Sequence, residues 1–225
     1  MNKDQRDRID KIVGTRRARE QPDQRFQIRV FHRPEFGVEV NRTDGVVKLL
    51  EGRNTNLRVM EKEDLPLFAE WNNDPAFGGE FEPLEQSSLA EVEKWYGSLL
   101  SGGKSFIIER KDGSKIGQIL CLPKGPHYTM GYRVIPNERN KGHCTEAVKI
   151  MTDYLFLSKE IVRIEAETNP GNIASKRVLE KAGFTKEGLI RKSVFIRGEW
   201  RDGILYSILR EDWKEPRILA KIGTK

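Results

Sequence analysis

Two cysteines and three histidines are all that 225 residues hold of the softer metal ligands. A structural zinc takes four Cys or His ligands at close paired spacing, and Cys121, Cys144, His32, His127 and His143 supply no such set. No metal is expected. Cys121 lies in an apolar run and reads as a buried, reduced thiol. Long hydrophobic runs are lacking too, since none approaches the roughly 18 residues that cross a bilayer. The opening MNKDQRDRID is charged throughout and has no apolar stretch of the secretory kind. These absences predict a cytoplasmic chain with no membrane partner.

Charge is abundant. One third of the residues are charged against 37% hydrophobic, the mixture of a well-solvated globular protein. The formal charge of +6 suits nucleic acid and anionic cofactors alike, and does not choose between them. Residues 1–45 read as a basic N-terminal extension, set apart from a domain over 46–225. Up to Arg25 the branched apolar residues are few, namely Ile9, Ile12 and Val13, too few to offset chain entropy by burial. Residues 26–31 alternate like a strand, and Asp44-Gly45 between Val38-Glu39-Val40 and Val46-Val47-Lys48-Leu49-Leu50 predicts a tight hairpin. Arg16, Arg17, Arg19 and Arg25 could contact nucleic acid, but neighbouring acids blunt their charge, which disfavours that partner.

From Leu57 onward the pattern is regular. A strand at 57–60 leads to a helix begun at Asp64, with Leu65, Phe68, Ala69 and Trp71 on one face. Asn72-Asn73-Asp74-Pro75 stops it, because proline disfavours helix in the residue before it. A second helix over 88–100 spaces Leu89, Val92, Tyr96, Leu99 and Leu100 for burial. Strands follow at 106–108 and 116–120, joined across Asp112-Gly113, and at 128–135. A polar loop then enters a helix carrying Ala147, Val148, Met151, Tyr154 and Leu155. A strand at 162–166, a short helix over 172–182 closed by Gly183, and strands at 189–196 and 204–209 complete the order. This predicts a mixed α/β (α+β) fold with helices packed on a sheet.

The loop Asn137-Glu138-Arg139-Asn140-Lys141-Gly142-His143-Cys144-Thr145 is the richest in chemistry. It follows a strand and opens a helix, whose first turn leaves N–H groups unpaired at the positive end of the peptide dipoles. A phosphate accepting those bonds replaces the missing partners. Gly142 lets the backbone approach closely, while Arg139 and Lys141 add cationic donors.

Arg139-Asn140-Lys141-Gly142-His143-Cys144 resembles the Arg/Gln-x-x-Gly-x-Gly/Ala signature with which GNAT-family acetyltransferases hold the pyrophosphate of acetyl-CoA. Asn169-Pro170-Gly171-Asn172-Ile173-Ala174-Ser175 and Leu179-Glu180-Lys181-Ala182-Gly183-Phe184 resemble the second half of that family's core. Trp71-Asn72-Asn73-Asp74-Pro75, and Gly198-Glu199-Trp200-Arg201-Asp202 with Tyr206, are similar to the branch that acetylates ribosomal-protein N-termini. The likeness covers roughly residues 46 to 212. It implies a GNAT fold: a mixed, mostly antiparallel sheet of about six to seven strands with helices on both faces. It also implies acetyl-CoA as donor and a primary amine as acceptor, either a protein N-terminus or a small molecule such as a polyamine or antibiotic. The resemblance also admits a homodimer, and a CoA-binding module without catalysis is the other class of reading.

In such a protein the strand before the loop splays from its neighbour, and Tyr132, Arg133 and Val134 hold the pantetheine arm. Arg139, Asn140, Lys141, Gly142, His143, Cys144 and Thr145 would surround the pyrophosphate. Asn172 would contact the arm and Ser175 would lie near the thioester sulfur. Three positions depart from the family pattern. Cys144 replaces a smaller residue, at a helix N-terminus that could lower its pKa. Leu179 stands where many members carry a tyrosine acid, so the role of acid falls to Ser175 or to water. Val194 stands where some relatives carry a glutamate base, so Glu165 and Glu167, two apart on one strand face, become candidates. Glu80 and Glu82 are expected to line the acceptor cleft.

Overall fold

The computed structural model describes residues 42–43, 46–47, 50–99 and 102–214. The expected strand over 26–31 and the charged segment before it lie outside the described residues. Arg42–Thr43 (β1) and Val46–Val47 (β2) pair antiparallel with Thr43 opposite Val46, the register expected around Asp44-Gly45.

Eight further strands form one sheet: Leu50–Glu51 (β3), Thr55–Val59 (β4), Lys104–Arg110 (β5), Lys115–Lys124 (β6), His127–Val134 (β7), Arg163–Thr168 (β8), Thr185–Ile196 (β9) and Glu199–Leu209 (β10). Their order is β3-β4-β5-β6-β7-β8-β10-β9. The β7–β8 pair is parallel and the other neighbours are antiparallel. Eight strands thus replace the expected six to seven. The addition is the edge strand β3, where the carboxylate of Glu146 accepts the N–H groups of Arg53 and Asn54 and so closes the β3–β4 turn.

The helices are Leu65–Asn73 (α1), Pro75–Gly78 (α2), Leu89–Leu99 (α3), His143–Ser158 (α4) and Ile173–Ala182 (α5). Alternation along β5 sends them to both faces. Phe106 and Ile108 point into the larger core with Ile150, Met151, Ile164, Leu179 and Tyr206, beneath α4 and α5. Ile107, between them, joins Met60, Phe68, Trp71, Val92 and Tyr96 beneath α1 and α3. A buried clamp fixes α1 to the sheet: Arg58 on β4 donates to both Asp64 oxygens, at 2.8 and 2.9 Å, and to Glu109 on β5 at 2.7 Å.

Local chemistry sets the helix ends. The side chain of Asp74 accepts from Ala76 N–H at 2.8 Å, so Pro75 stops α1 and starts the one-turn α2. Ser88 and Glu91 exchange bonds as a capping box at the start of α3. Leu89, expected on the buried stripe of α3, is 43% exposed, because the apolar cluster meets the helix only from Val92 on. Gly183, left-handed at φ 92°, closes α5 as expected.

One irregularity positions the site. Strands β7 and β8 pair only at Tyr128–Ile164 and Thr129–Glu165. Beyond those residues β7 stays bonded to β6 as far as Val134, while β8 stays bonded to β10 as far as Thr168. The two strands part, and their facing edges are left without a ladder.

Candidate active site

The loop from β7 to α4 lies at the mouth of that opening. After the turn Pro136–Glu138, Asn140 at φ 62° and Gly142 at φ 88° are left-handed on either side of Lys141. Such alternation turns successive N–H groups toward one side and makes an anion-binding concavity. The first helical bond of α4 runs from Glu146 N–H to the Gly142 carbonyl at 3.1 Å, and the Gly142 cap has no side chain to bond the amides after it. The N–H groups of His143, Cys144 and Thr145 therefore have no acceptor within the helix. The ring of His143 is turned inward, with Nδ1 2.9 Å from Thr55 Oγ1 and Nε2 3.3 Å from the Glu138 carboxylate. Burial pushes the Glu138 carboxyl up, but Lys141, Arg110 and His143 outweigh it and hold it below the ordinary range. The loop is anchored by its side chains and presents its backbone.

An open cleft of about 780 Å³ runs along this loop. Tyr132, Arg133 and Val134 of β7 line it, with Arg139, Asn140, Gly142, His143, Cys144 and Thr145 of the loop and Asn172 and Ser175 at the start of α5. Glu80 and Glu82 line its other side, beside Phe77 and Phe81. Most of the residues expected at the site therefore meet in one cavity.

Several are placed differently from expectation. Lys141 is outside the lining and points to Glu138, at 3.3 Å. Arg139 donates to the carbonyls of Ala76 and Phe77, at 2.6 and 2.9 Å, tying the loop to α2. The thiol of Cys144 is pushed up to about 12 by burial, against a smaller opposing effect of Arg139, opposite to the lowering that a helix N-terminus could bring and in keeping with a tolerated small residue.

Glu165 and Glu167 stand apart from the cleft, on the sheet face away from α4 and α5. Ile164 and Ala166, their neighbours on β8, point into the larger core beneath those helices. Glu165 is buried and bonded to Lys124 at 2.9 Å and Arg163 at 2.8 Å, and these cations hold it below the ordinary range in spite of its burial. Glu167 is exposed beside Gly203, where an added Cβ would lie 1.9 Å from its Oε1. Alternation placed both on one strand face, but which face it was depended on packing. Glu82 is the carboxylate in the cleft with a raised pKa, chiefly through desolvation, opposed by Arg133 and reinforced by Glu85.

Asn172 uses its side-chain oxygen to cap α5, accepting from Ser175 N–H at 3.0 Å, so its NH₂ is the part left to face a ligand. Ser175 Oγ lies 3.0 Å from Tyr132 Oη. Two cleft cations went unnoticed in the sequence, Arg177 and Lys181 of α5. The signal was their four-residue spacing on the helix that Asn172 caps.

An acetyltransferase (GNAT) domain matches residues 54–185. The probable N-acetyltransferase YjcK of Bacillus subtilis is 47% identical over 83 residues, which are 37% of this chain and 46% of that protein. The chain thus spans about half the length of that curated relative. The uncharacterized N-acetyltransferase YnaD of the same bacterium is 35% identical over 131 residues, 57% of this chain and 76% of its own. The ribosomal-protein-S5-alanine acetyltransferase structure from Vibrio fischeri superposes with a TM-score of 0.62 at 26% identity, covering 73% of this chain and 98% of that one. Parted strands, an uncapped helix start between them and a domain match over more than half of the residues lead to one conclusion: the chain belongs to the GNAT acetyltransferase family.

Proposed function

We propose that this protein transfers acetyl from acetyl-CoA to a primary amine, and that the amine is the α-amino group of a protein N-terminus. The observation that carries the reading is the uncapped start of α4, which opens into the cleft beside the unpaired edge of β7. Backbone donors at a helix start, set in a left-handed bend, suit a pyrophosphate. A thioester, when bound, supplies the activated acyl group.

The chain's own residues divide the remaining work. Amides of His143, Cys144 and Thr145 hold the diphosphate, and Arg177 and Lys181 add positive charge from the α5 wall. The free edge of β7 at 132–134 offers main-chain groups to the amides of the pantetheine arm, and the NH₂ of Asn172 adds a donor. Ser175 hydrogen-bonds the departing sulfur. Glu82, a carboxylate in the cleft whose pKa desolvation raises from its ordinary value, takes the proton that the amine gives up. Positioning and electrostatics supply most of the acceleration. Donor and acceptor meet in the cytoplasm in this reading, and no helix among the described residues is long and apolar enough to cross a membrane.

A protein acceptor is supported by the [ribosomal protein uS5]-alanine N-acetyltransferase of Escherichia coli, 33% identical over 88 residues, 39% of this chain and 45% of that protein. A specific observation favours a second reading, a polyamine acceptor: Glu80 and Glu82 line the cleft, with Glu85 close enough to raise Glu82. The test is acetyl-CoA consumption with peptides bearing free or blocked N-termini, spermidine and an aminoglycoside. Turnover with free-amine peptides alone is expected. Acetylation confined to the small amines would overturn the protein acceptor, and CoA affinity without turnover would reduce the chain to a binding module.

A further inference from the structure

We infer that Tyr132 is a positioning residue for the acetyl transfer proposed above, on which the inference rests: it donates its phenolic hydrogen to Ser175 Oγ and so leaves the serine's own hydrogen free to face the leaving sulfur. Leu179, where the family resemblance calls for a tyrosine, is fully buried and has no proton to give. Among the chain's five tyrosines, Tyr132 is the one that lines the cleft. Tyr96 donates to the Met60 carbonyl and Tyr206 to Glu180, both away from it. A tyrosine hydroxyl therefore reaches α5 from the strand instead of from the helix.

The geometry favours Tyr132 as the donor. Tyr132 Oη lies 3.0 Å from Ser175 Oγ and 3.3 Å from the Ser175 carbonyl. That carbonyl also accepts the helix's own N–H four residues on, and the hydroxyl oxygen lies nearer, so the hydroxyl is the better-placed acceptor. Ser175 N–H is held by Asn172 Oδ1 at 3.0 Å, which fixes the serine in the first turn of α5 beside the cleft. A hydroxyl that accepts one hydrogen bond becomes a stronger donor in the next. Burial pushes the Tyr132 phenol above its usual range, so the ring stays neutral and remains a donor while the reaction proceeds.

The chemical step balances without ionising Tyr132. The amine nitrogen bonds to the acetyl carbon, the carbon–sulfur bond breaks, and its electron pair leaves on sulfur under the hydrogen bond from Ser175. The proton that nitrogen loses finally neutralises the thiolate.

The test is a double-mutant cycle on the full chain. Y132F is expected to lower kcat about tenfold, the worth of one hydrogen bond, with the KM for acetyl-CoA within about twofold. S175A should lose at least as much, and the double variant no more than S175A alone. Multiplied penalties, an unchanged kcat in Y132F or a fully active S175A would each overturn the inference while the wild type still consumes acetyl-CoA. A wild type that binds CoA yet never turns over would sink the acetyl-transfer reading, and this inference with it. Should Y132F fail to fold, 3-fluorotyrosine at position 132 serves instead: its fluorine resonance should move on S175A without any turnover, and an unmoved resonance would overturn the contact.

Discussion

At the scale of single residues, backbone conformation matters as much as charge. Gly142 adopts φ 88°, and a Cβ there would meet no heavy atom within 4 Å. Space is therefore not the constraint; the left-handed backbone is, at about 1–2 kcal/mol for a residue with a Cβ. Gly142→Ala is expected to lower stability by about 1 kcal/mol in urea melts and to weaken CoA binding severalfold, as the amides after it turn away. Equal CoA affinity in the variant, measured by calorimetry, would argue against the loop as the phosphate seat. Cys144, in the first turn of the helix that Gly142 caps, shows the opposite lesson. A helix N-terminus could lower its pKa, but its partly buried surroundings raise it instead.

Among elements, the clamp between α1 and the sheet is the clearest dependence. Asp64 gathers Arg58 and Lys115, the latter at 2.7 Å, and also accepts the Glu61 N–H. Burial pushes its carboxyl up, yet these partners bring it down to about 2 from an ordinary 3.8. A carboxylate whose folded pKa is depressed stabilises the fold above its unfolded pKa, and that contribution is lost as pH falls through the folded value. The wild type should hold the full contribution above about pH 4 and lose it on approaching pH 2. Asp64→Asn leaves Arg58 buried beside Glu109 alone and is expected to cost about 3–5 kcal/mol. Its denaturation midpoint should also vary less with pH between about 4 and 2 than that of the wild type. Equal pH slopes for the two proteins would exclude the clamp as their source.

At the largest scale, among the described residues, two apolar layers meet across one sheet, and the cleft lies beside the end of β7 where the β7–β8 ladder has stopped. Strands β7 and β8 pair only at their first residues, and the segment 76–79 beside the cleft is tied to three other elements. Arg139 ties the α4 loop to α2, the ring of Phe77 lies under Arg133 at 5.2 Å, and Arg197 at the β9–β10 turn reaches the Gly79 carbonyl at 3.3 Å. A ligand that fills the cleft binds the folded chain and not the unfolded one. CoA at about a hundredfold its Kd should therefore raise stability by about 2.7 kcal/mol, read as a rise in Tm. An unshifted Tm would speak against this cleft as a CoA site.

Much of this was legible in the residues themselves. The faces of α1, the hairpin at Asp112-Gly113 and the stop at Gly183 are local effects, set by neighbours within a turn or two. So is the uncapped loop at Gly142, because a glycine before a helix acts through its own φ and the amides that follow it. The tertiary structure decided what depends on residues far apart in the chain. Glu146 closes a turn more than ninety residues earlier and so adds a strand. The pleat puts Glu165 and Glu167 on one face, but only the placing of α4 and α5 makes that the face away from the cleft. Tyr132 and Ser175, 43 positions apart, come within hydrogen-bonding distance because two strands part and a helix docks across the gap. Periodicity acts over a few residues, whereas a site is a meeting of distant ones, fixed by packing.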